Sequence, residues 1–131
     1  MELYIGGAFQ GKLDYVKSLY NGKKFEIYGK DGFEKLCSAE NLSAIWNDFH
    51  LAVKNLLGGC RPQDEIASRI FEIIRKNPDI KIISCEIGSG IVPLDKSDRL
   101  WRDFCGHLLV QLAEKADKVE RIVCGIPQRL K

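Results

Sequence analysis

The chain has 131 residues, 45% of them hydrophobic and 29% charged, which suits a single folded domain over residues 1–131 built around one core. A net charge of +2, with no basic run longer than two residues, gives no electrostatic footprint for nucleic acid or an anionic membrane surface. No apolar stretch approaches the roughly 20 residues of a membrane span, and the short apolar start before Lys12 and Asp14 is not expected to act as a secretory leader.

In chain order, Leu3 to Gly6 reads as a first strand, and Leu13 to Tyr20 as the helix after it. Lys24 to Tyr28 reads as a second strand. Gly29 to Ser38 is either loop or short helix. Ala39 to Leu57 carries apolar residues at Leu42, Ile45, Trp46, Phe49, Val53, Leu56 and Leu57, which predicts one amphipathic helix stopped by Gly58-Gly59. Pro62 to Lys76 is a further helix, with its stripe at Ile66, Ile70, Ile73 and Ile74 and its stop at Asn77-Pro78-Asp79. Lys81 to Ile87 and Arg121 to Gly125 are continuous apolar runs, the pattern of parallel strands covered on both faces. Between them Ser97 to Lys115 predicts a helix capped by Ser97 or Asp98. The alternation predicts an α/β sandwich with a small, mostly parallel sheet of four or five strands.

The five cysteines, Cys37, Cys60, Cys85, Cys105 and Cys124, are odd in number and form no C-x-x-C pair. No zinc or other metal site is expected from them, and a reducing cytoplasm fits best. Cys85 and Cys124 fall in segments that read as buried strands, where cysteine behaves as a small apolar residue.

The first strand runs into Gly6, Gly7, Ala8, Phe9, Gln10, Gly11, Lys12 and Leu13. This is a phosphate-binding P-loop layout, G-x-x-x-x-G-K, between a strand and a helix. Glycines let successive N–H groups curl round a phosphate, and the lysine reaches the terminal phosphates. The position after the lysine, normally Ser or Thr, is Leu13, which has no oxygen to offer Mg²⁺. Either the loop binds an anion, or it is a tight turn left empty, with Phe9 filling the cradle.

The second half carries a further signal. Cys85-Glu86-Ile87-Gly88-Ser89-Gly90-Ile91-Val92-Pro93 resembles the N-E-V-G-x-G-I-V-P segment of the adenosylcobinamide kinase/adenosylcobinamide-phosphate guanylyltransferase family. Arg102-Asp103 with Gly106, Ala116-Asp117-Lys118-Val119, and Gly125-Ile126-Pro127-Gln128-Arg129-Leu130-Lys131 are similar to its R-D-x-x-G, A-D-x-V and G-x-P-x-R-L-K motifs. The Gly6 to Lys12 loop resembles its G-G-A-x-S-G-K-S loop. The resemblance spans roughly residues 1–20 and 80–131 and implies a P-loop NTPase-like fold. It also implies a cytoplasmic, cobalamin-biosynthetic, homo-oligomeric protein that uses ATP or GTP, with or without Mg²⁺, on a corrinoid, and binds neither nucleic acid nor membrane.

The departures from the family fall on chemistry. Leu13 replaces the metal-binding hydroxyl. No R-I-x-x-H segment, whose histidine takes the guanylyl group, lies between Lys12 and Lys81. No acidic strand of the D-C-L-T type is expected, because two helices fill the chain from the second strand to Lys81. Leu109-Val110 stands where the family has Asn-Gln, and Cys85 where it has asparagine.

Lys12 and Glu86 are the candidate catalytic residues. Glu86 ends a predicted strand, where α/β sheets put ligands, and either orients a water or metal or caps N–H groups of the glycine-rich turn. Arg99, Arg102 and Asp103 form either a substrate-side patch or a solvated helix face with an Asp98–Arg102 ion pair. His50 reads as a half-exposed helix histidine rather than a guanylyl acceptor, and His107 as a surface or interface residue rather than a ligand. Arg129 and Lys131 lie in a tail expected to fray. Two functions follow: a cobinamide-kinase-type nucleotide-binding protein without the guanylyl step, or a non-catalytic P-loop-derived module acting through protein partners.

Overall fold

The computed structural model describes residues 1–131. Six strands form one sheet in the order β2-β3-β4-β1-β5-β6. They are β1 (Glu2–Ile5), β2 (Glu26–Tyr28), β3 (Ala44–Trp46), β4 (Lys81–Ile83), β5 (Lys118–Val123) and β6 (Ile126–Arg129). All neighbours pair in parallel except β5 with β6. The helices are α1 (Lys12–Ser18), α2 (Phe33–Cys37), α3 (Phe49–Gly58), α4 (Gln63–Lys76) and α5 (Lys96–Lys115). None is long and apolar enough to cross a membrane. The three-layer α/β reading holds, but the sheet has six strands rather than four or five because β3 and β6 add to those expected, and the segment Gly29 to Ser38 contains the short helix α2.

Successive residues of the central strands face opposite layers, as a strand's period of two requires. Leu3, Ile82, Trp46 and Val119 enter a large core with Phe49, Ile70 and Leu108 from α3, α4 and α5. Tyr4, Ile83, Ile45 and Ile122 enter a smaller core with Val16 of α1 and Tyr20. β4 is buried on both faces at Ile82 and Ile83 but stops at Ile83 rather than Ile87, and β5 starts at Lys118 rather than Arg121 and leaves Arg121 and Val123 exposed, so only β4 fits the pattern of a strand covered on both faces.

The predicted helix over Ala39 to Leu57 is two elements. Ala44, Ile45 and Trp46 form β3, all fully buried and paired between β2 and β4. Three consecutive apolar residues satisfy a helical stripe and a buried strand alike, and the available place in the sheet decides between them. The break into α3 falls at Asp48, whose φ of 55° is left-handed. The chain therefore does have an acidic residue at the end of a strand in this region, contrary to the expectation that no room remained for one. Asn77, fully buried, fixes the approach to β3: its Oδ1 accepts from Leu42 N at 2.9 Å and its Nδ2 donates to Ala39 O at 3.1 Å.

The tail does not fray. Cys124 and Gly125, with φ of 52° and 78°, turn the chain so that β6 pairs back on β5. Lys131 Nζ then donates to Ala113 O and Glu114 O at the end of α5, at 3.1 and 2.9 Å. Two cysteine placements also change. Cys85 lies beyond β4 and is half-buried, and Cys124 is exposed in the hairpin, whereas Cys105 of α5 is fully buried. The cap of α5 is Asp95, whose Oδ1 accepts from Ser97 N at 2.7 Å, rather than Ser97 or Asp98.

Candidate functional site

The C-terminal ends of β1, β3 and β4 converge on the loop from Gly6 to Leu13. Gly6 has a φ of 151°, and a Cβ on it would lie 2.4 Å from Ile122 O, so the loop leaves β1 where only glycine fits. Gly11, at φ 77°, hands the loop to α1. The loop's far side is moored to the β5–β6 hairpin: Gly125 N donates to Gln10 O at 2.9 Å, and Cys124 N to Gln10 Oε1 at 2.7 Å.

No backbone acceptor within the protein takes the N–H groups of Gly7, Ala8, Phe9, Gln10 or Gly11. These residues are exposed or, for Gln10, partly exposed, so their N–H groups are open to solvent and free to meet a polar partner. Phe9 is fully exposed and does not fill the cradle. Lys12, only 8% exposed, turns its ammonium back over the loop. Nζ donates to Gly7 O at 2.6 Å and Gly6 O at 3.4 Å, and reaches Cys85 Sγ at 3.5 Å. Leu13 is partly buried and packs towards the smaller core.

Glu86 belongs to the same end of the sheet. Its N–H donates to Gly6 O at 3.2 Å, which ties the strand β4 exit to the loop. Its carboxylate takes Arg121 Nη2 at 3.0 Å and makes no cap to the short 3-10 turn Ile87–Ser89.

Arg99 and Arg102 hold the glycine-rich segment instead of forming an ion pair with Asp98. Arg99 Nη1 donates to Pro93 O at 3.0 Å and Leu94 O at 2.6 Å, and Arg102 Nη2 to Gly88 O at 2.9 Å. Asp98 pairs with Lys54 of α3 at 2.7 Å. Asp103 and the exposed His107 line, with Arg102, Gly88 and Gly106, an open polar hollow of about 500 Å³. A larger hollow of about 580 Å³, at Gly22–Glu26 and Asn41–Ser43, lies at the opposite, N-terminal ends of β2 and β3.

Asp48 escaped the sequence reading because β3 did, and His50 was read on a helix, where it lies, but as half-exposed. Asp48 lies two residues past the end of that strand, at the start of α3, and its Oδ2 accepts from Asn47 Nδ2 at 2.8 Å. His50 opens α3 and is buried rather than half-exposed, with Nδ1 accepting from Cys85 N at 3.3 Å. Burial pushes the imidazole pKa below its usual range and the Lys12 ammonium adds to that, against an opposing pull from Asp48. Nearby, burial pushes the Cys105 thiol up to about 12, so it is an inert core residue. No three His, Cys, Asp or Glu side chains converge as a metal cage.

A comparison with protein families matches residues 34–130 to the family described as cobinamide kinase / cobinamide phosphate guanyltransferase. The chain belongs to that family. The matched segment takes in β3, the glycine-rich segment, α5 and the hairpin, and begins after the Gly6–Leu13 loop. Among curated proteins, the chain is 35% identical over 68 residues to the bifunctional adenosylcobalamin biosynthesis protein CobU of Salmonella typhimurium, covering 52% of this chain and 38% of that protein. It is 36% identical over 67 residues to the protein of the same name from Escherichia coli K12, covering 51% and 37%. The alignments thus span less than two fifths of these relatives' length. Membership in the cobinamide kinase / guanyltransferase family accounts for the six-stranded α/β sheet and puts Glu86, Arg99, Arg102 and Asp103 within the matched segment.

Proposed function

We propose that this single domain binds the phosphates of a purine nucleotide, ATP or GTP, on the Gly6–Leu13 loop, as a cobinamide-kinase-type member of its family. The observation that carries this reading is the run of free N–H groups from Gly7 to Gly11 beneath the Lys12 ammonium. In the reaction the amides hold the phosphate chain. Lys12 leaves the Gly7 carbonyl to meet the terminal phosphates, a short move for a flexible stem that exchanges neutral acceptors for a charged one. Glu86 fixes the β4 exit against Gly6 and orients Arg121 beside the loop. Arg99, Arg102 and Asp103 shape the side on which a corrinoid would enter.

Mg²⁺, when it arrives with the nucleotide, neutralises charge on the transferring group. The chain would offer it few ligands: Leu13 has no oxygen and Glu86 is engaged by Arg121, which leaves the Asp48 carboxylate, just past β3, to hold it together with phosphates and water. Phosphoryl transfer is therefore slow relative to a complete family member. The guanylyl step is absent in this reading. Its support is the lack of an R-I-x-x-H segment and the state of His50, whose Nδ1 lone pair is used by Cys85 N–H, leaving the neutral ring's proton on Nε2 where a nucleophile needs a lone pair.

The packing of Leu13 toward the smaller core favours a second reading, a non-catalytic module that keeps the scaffold and acts through partners, its own copies included. Calorimetric titration with ATP and GTP, with and without Mg²⁺, separates the two. Binding that disappears in Lys12→Ala supports the nucleotide reading and justifies an adenosylcobinamide assay in cytoplasm-like reducing buffer. No heat at millimolar nucleotide sinks it and leaves the module.

A further inference from the structure

The strand that carries the Gly6–Leu13 loop is flanked by two chains whose side chains meet across it. In register, Ile5 of β1 lies opposite Arg121 of β5, and Tyr4 opposite Ile83 of β4. Arg121 follows Val119 by two residues, so it stands on the sheet face that covers the larger core, where Ile5 also packs. On the other flank, the chain stays beside β1 after β4 has ended: Ser84 N donates to Tyr4 O at 3.0 Å, and Glu86 N to Gly6 O at 3.2 Å. Arg121 Nη2 then donates to Glu86 Oε2 at 3.0 Å.

Neighbouring strands lie about 4.8 Å apart, so β4 and β5, with β1 between them, are about 10 Å apart. The two side chains close that gap at the level where β1 turns into the loop. Each is the other's only ion-pair partner, and the Glu86 side chain is the more covered, at 19% exposure against 46% for Arg121. Gln10 already ties the tip of the loop to the hairpin that follows β5. The Glu86–Arg121 pair is the matching hold on its root.

We infer that Arg121 is a positioning residue for the Gly6–Leu13 loop, and that Glu86 serves as the other half of a clasp across β1 rather than as a catalytic carboxylate. This rests on the nucleotide reading above. The clasp meets no phosphate. It holds the loop's root in the geometry that leaves the Gly7–Gly11 amides free together, so less ordering remains when an anion arrives. A clasp needs one charge of each sign, so its polarity can be exchanged. A carboxylate acting on substrate, or an arginine gripping a phosphate, cannot be replaced by its opposite.

The test uses the full chain, with ATP and ADP as probes. Amide hydrogen exchange at position 86, where the N–H is held by Gly6 O, reads the root directly and needs no nucleotide. In Glu86→Gln and in Arg121→Gln that exchange quickens, and affinity for both nucleotides falls about three- to fivefold, the size expected for one partly exposed ion pair. Thermal midpoints stay close to wild type for the same reason, which separates a loosened loop from a loosened fold. Combining Glu86→Arg with Arg121→Glu restores both the slow exchange and the affinity. A folded single variant with wild-type exchange or wild-type affinity overturns the inference. So does a folded exchanged pair that binds as weakly as the single variants, because one of the two residues then touches the ligand itself. In both cases wild-type binding leaves the nucleotide reading intact. A wild-type chain that binds neither nucleotide overturns that reading and the clasp's part in binding with it.

Discussion

Gln10 and Cys124 are joined by a 2.7 Å hydrogen bond across 114 residues of sequence, from the Cys124 N–H to the Gln10 side-chain oxygen. With Gly125 N on Gln10 O, it pins the tip of the Gly6–Leu13 loop to the β5–β6 hairpin. The shape of the loop therefore depends on the last strand pair. Gln10→Ala removes one of the two ties. Hydrogen exchange of the Cys124 amide should quicken, while global stability changes by no more than about 1 kcal/mol because the bond is exposed. Nucleotide affinity falls with it, since a loosened loop must be ordered on binding. Unchanged exchange at Cys124 would mean that the hairpin and loop are not coupled.

Gly6→Ala is the sharpest test of the loop's origin. A Cβ would meet Ile122 O at 2.4 Å, and the φ of 151° is one that L side chains rarely adopt. Backbone on both sides leaves no flexible group to yield. A loss of more than about 2 kcal/mol in urea unfolding is expected. A substitution tolerated within 0.5 kcal/mol would mean that β1 and β5 part more readily than their register implies.

Leu13→Ser separates two effects of one side chain. Leu13 packs against the smaller core, so removing it should cost about 1–2 kcal/mol of stability. The hydroxyl supplies the oxygen that the loop lacks, so Mg²⁺-dependent nucleotide affinity should rise about tenfold. The two readouts move in opposite directions. A stability loss without a gain in Mg²⁺-dependent affinity would favour the non-catalytic module.

The buried imidazole of His50 makes stability depend on pH. Its folded-state pKa lies below its ordinary value, chiefly through burial and then through Lys12. Below about pH 6.5 the unfolded chain binds a proton that the folded one resists, so stability is full above that value and falls as pH drops toward the folded pKa. Glu2 follows at lower pH: burial raises its pKa, but hydrogen bonds from Lys81 and Tyr4 outweigh it and hold the carboxyl low. Its share is present above about pH 4.5 and is lost on further acidification. Urea midpoints of wild type and His50→Gln, compared from pH 7.5 to 5.5, should show a slope in wild type that the variant lacks. Parallel slopes would assign the acid sensitivity to other groups.

The elements that could be read in the sequence are those whose pattern has one interpretation. Lys81-Ile82-Ile83 is the short apolar run of a covered strand, Arg121-Ile122-Val123 carries the β-branched residues of one although only Ile122 of the three is buried, and the stripe from Ile66 to Ile74 has the spacing of a helix. The glycines and lysine of the loop announced themselves by type and spacing. The segment around Trp46 did not, because apolar residues there satisfy a helix and a strand equally, and only the gap between β2 and β4 chose the strand. With β3 hidden, Asp48 was hidden too, while His50 was placed on a helix correctly and only its burial was missed.

The sequence alone determined the alternating α/β architecture, the loop with its lysine, and the missing hydroxyl at Leu13. These depend on residue identity and local periodicity. Tertiary structure alone decided that β6 pairs on β5 as the edge strand, that Arg99 and Arg102 brace the glycine-rich segment, and that Cys85 touches both His50 and the loop lysine. These depend on which groups a folded core brings within a few ångströms, across 35 residues for His50 and Cys85 and 73 for Lys12 and Cys85, a separation that no local pattern encodes.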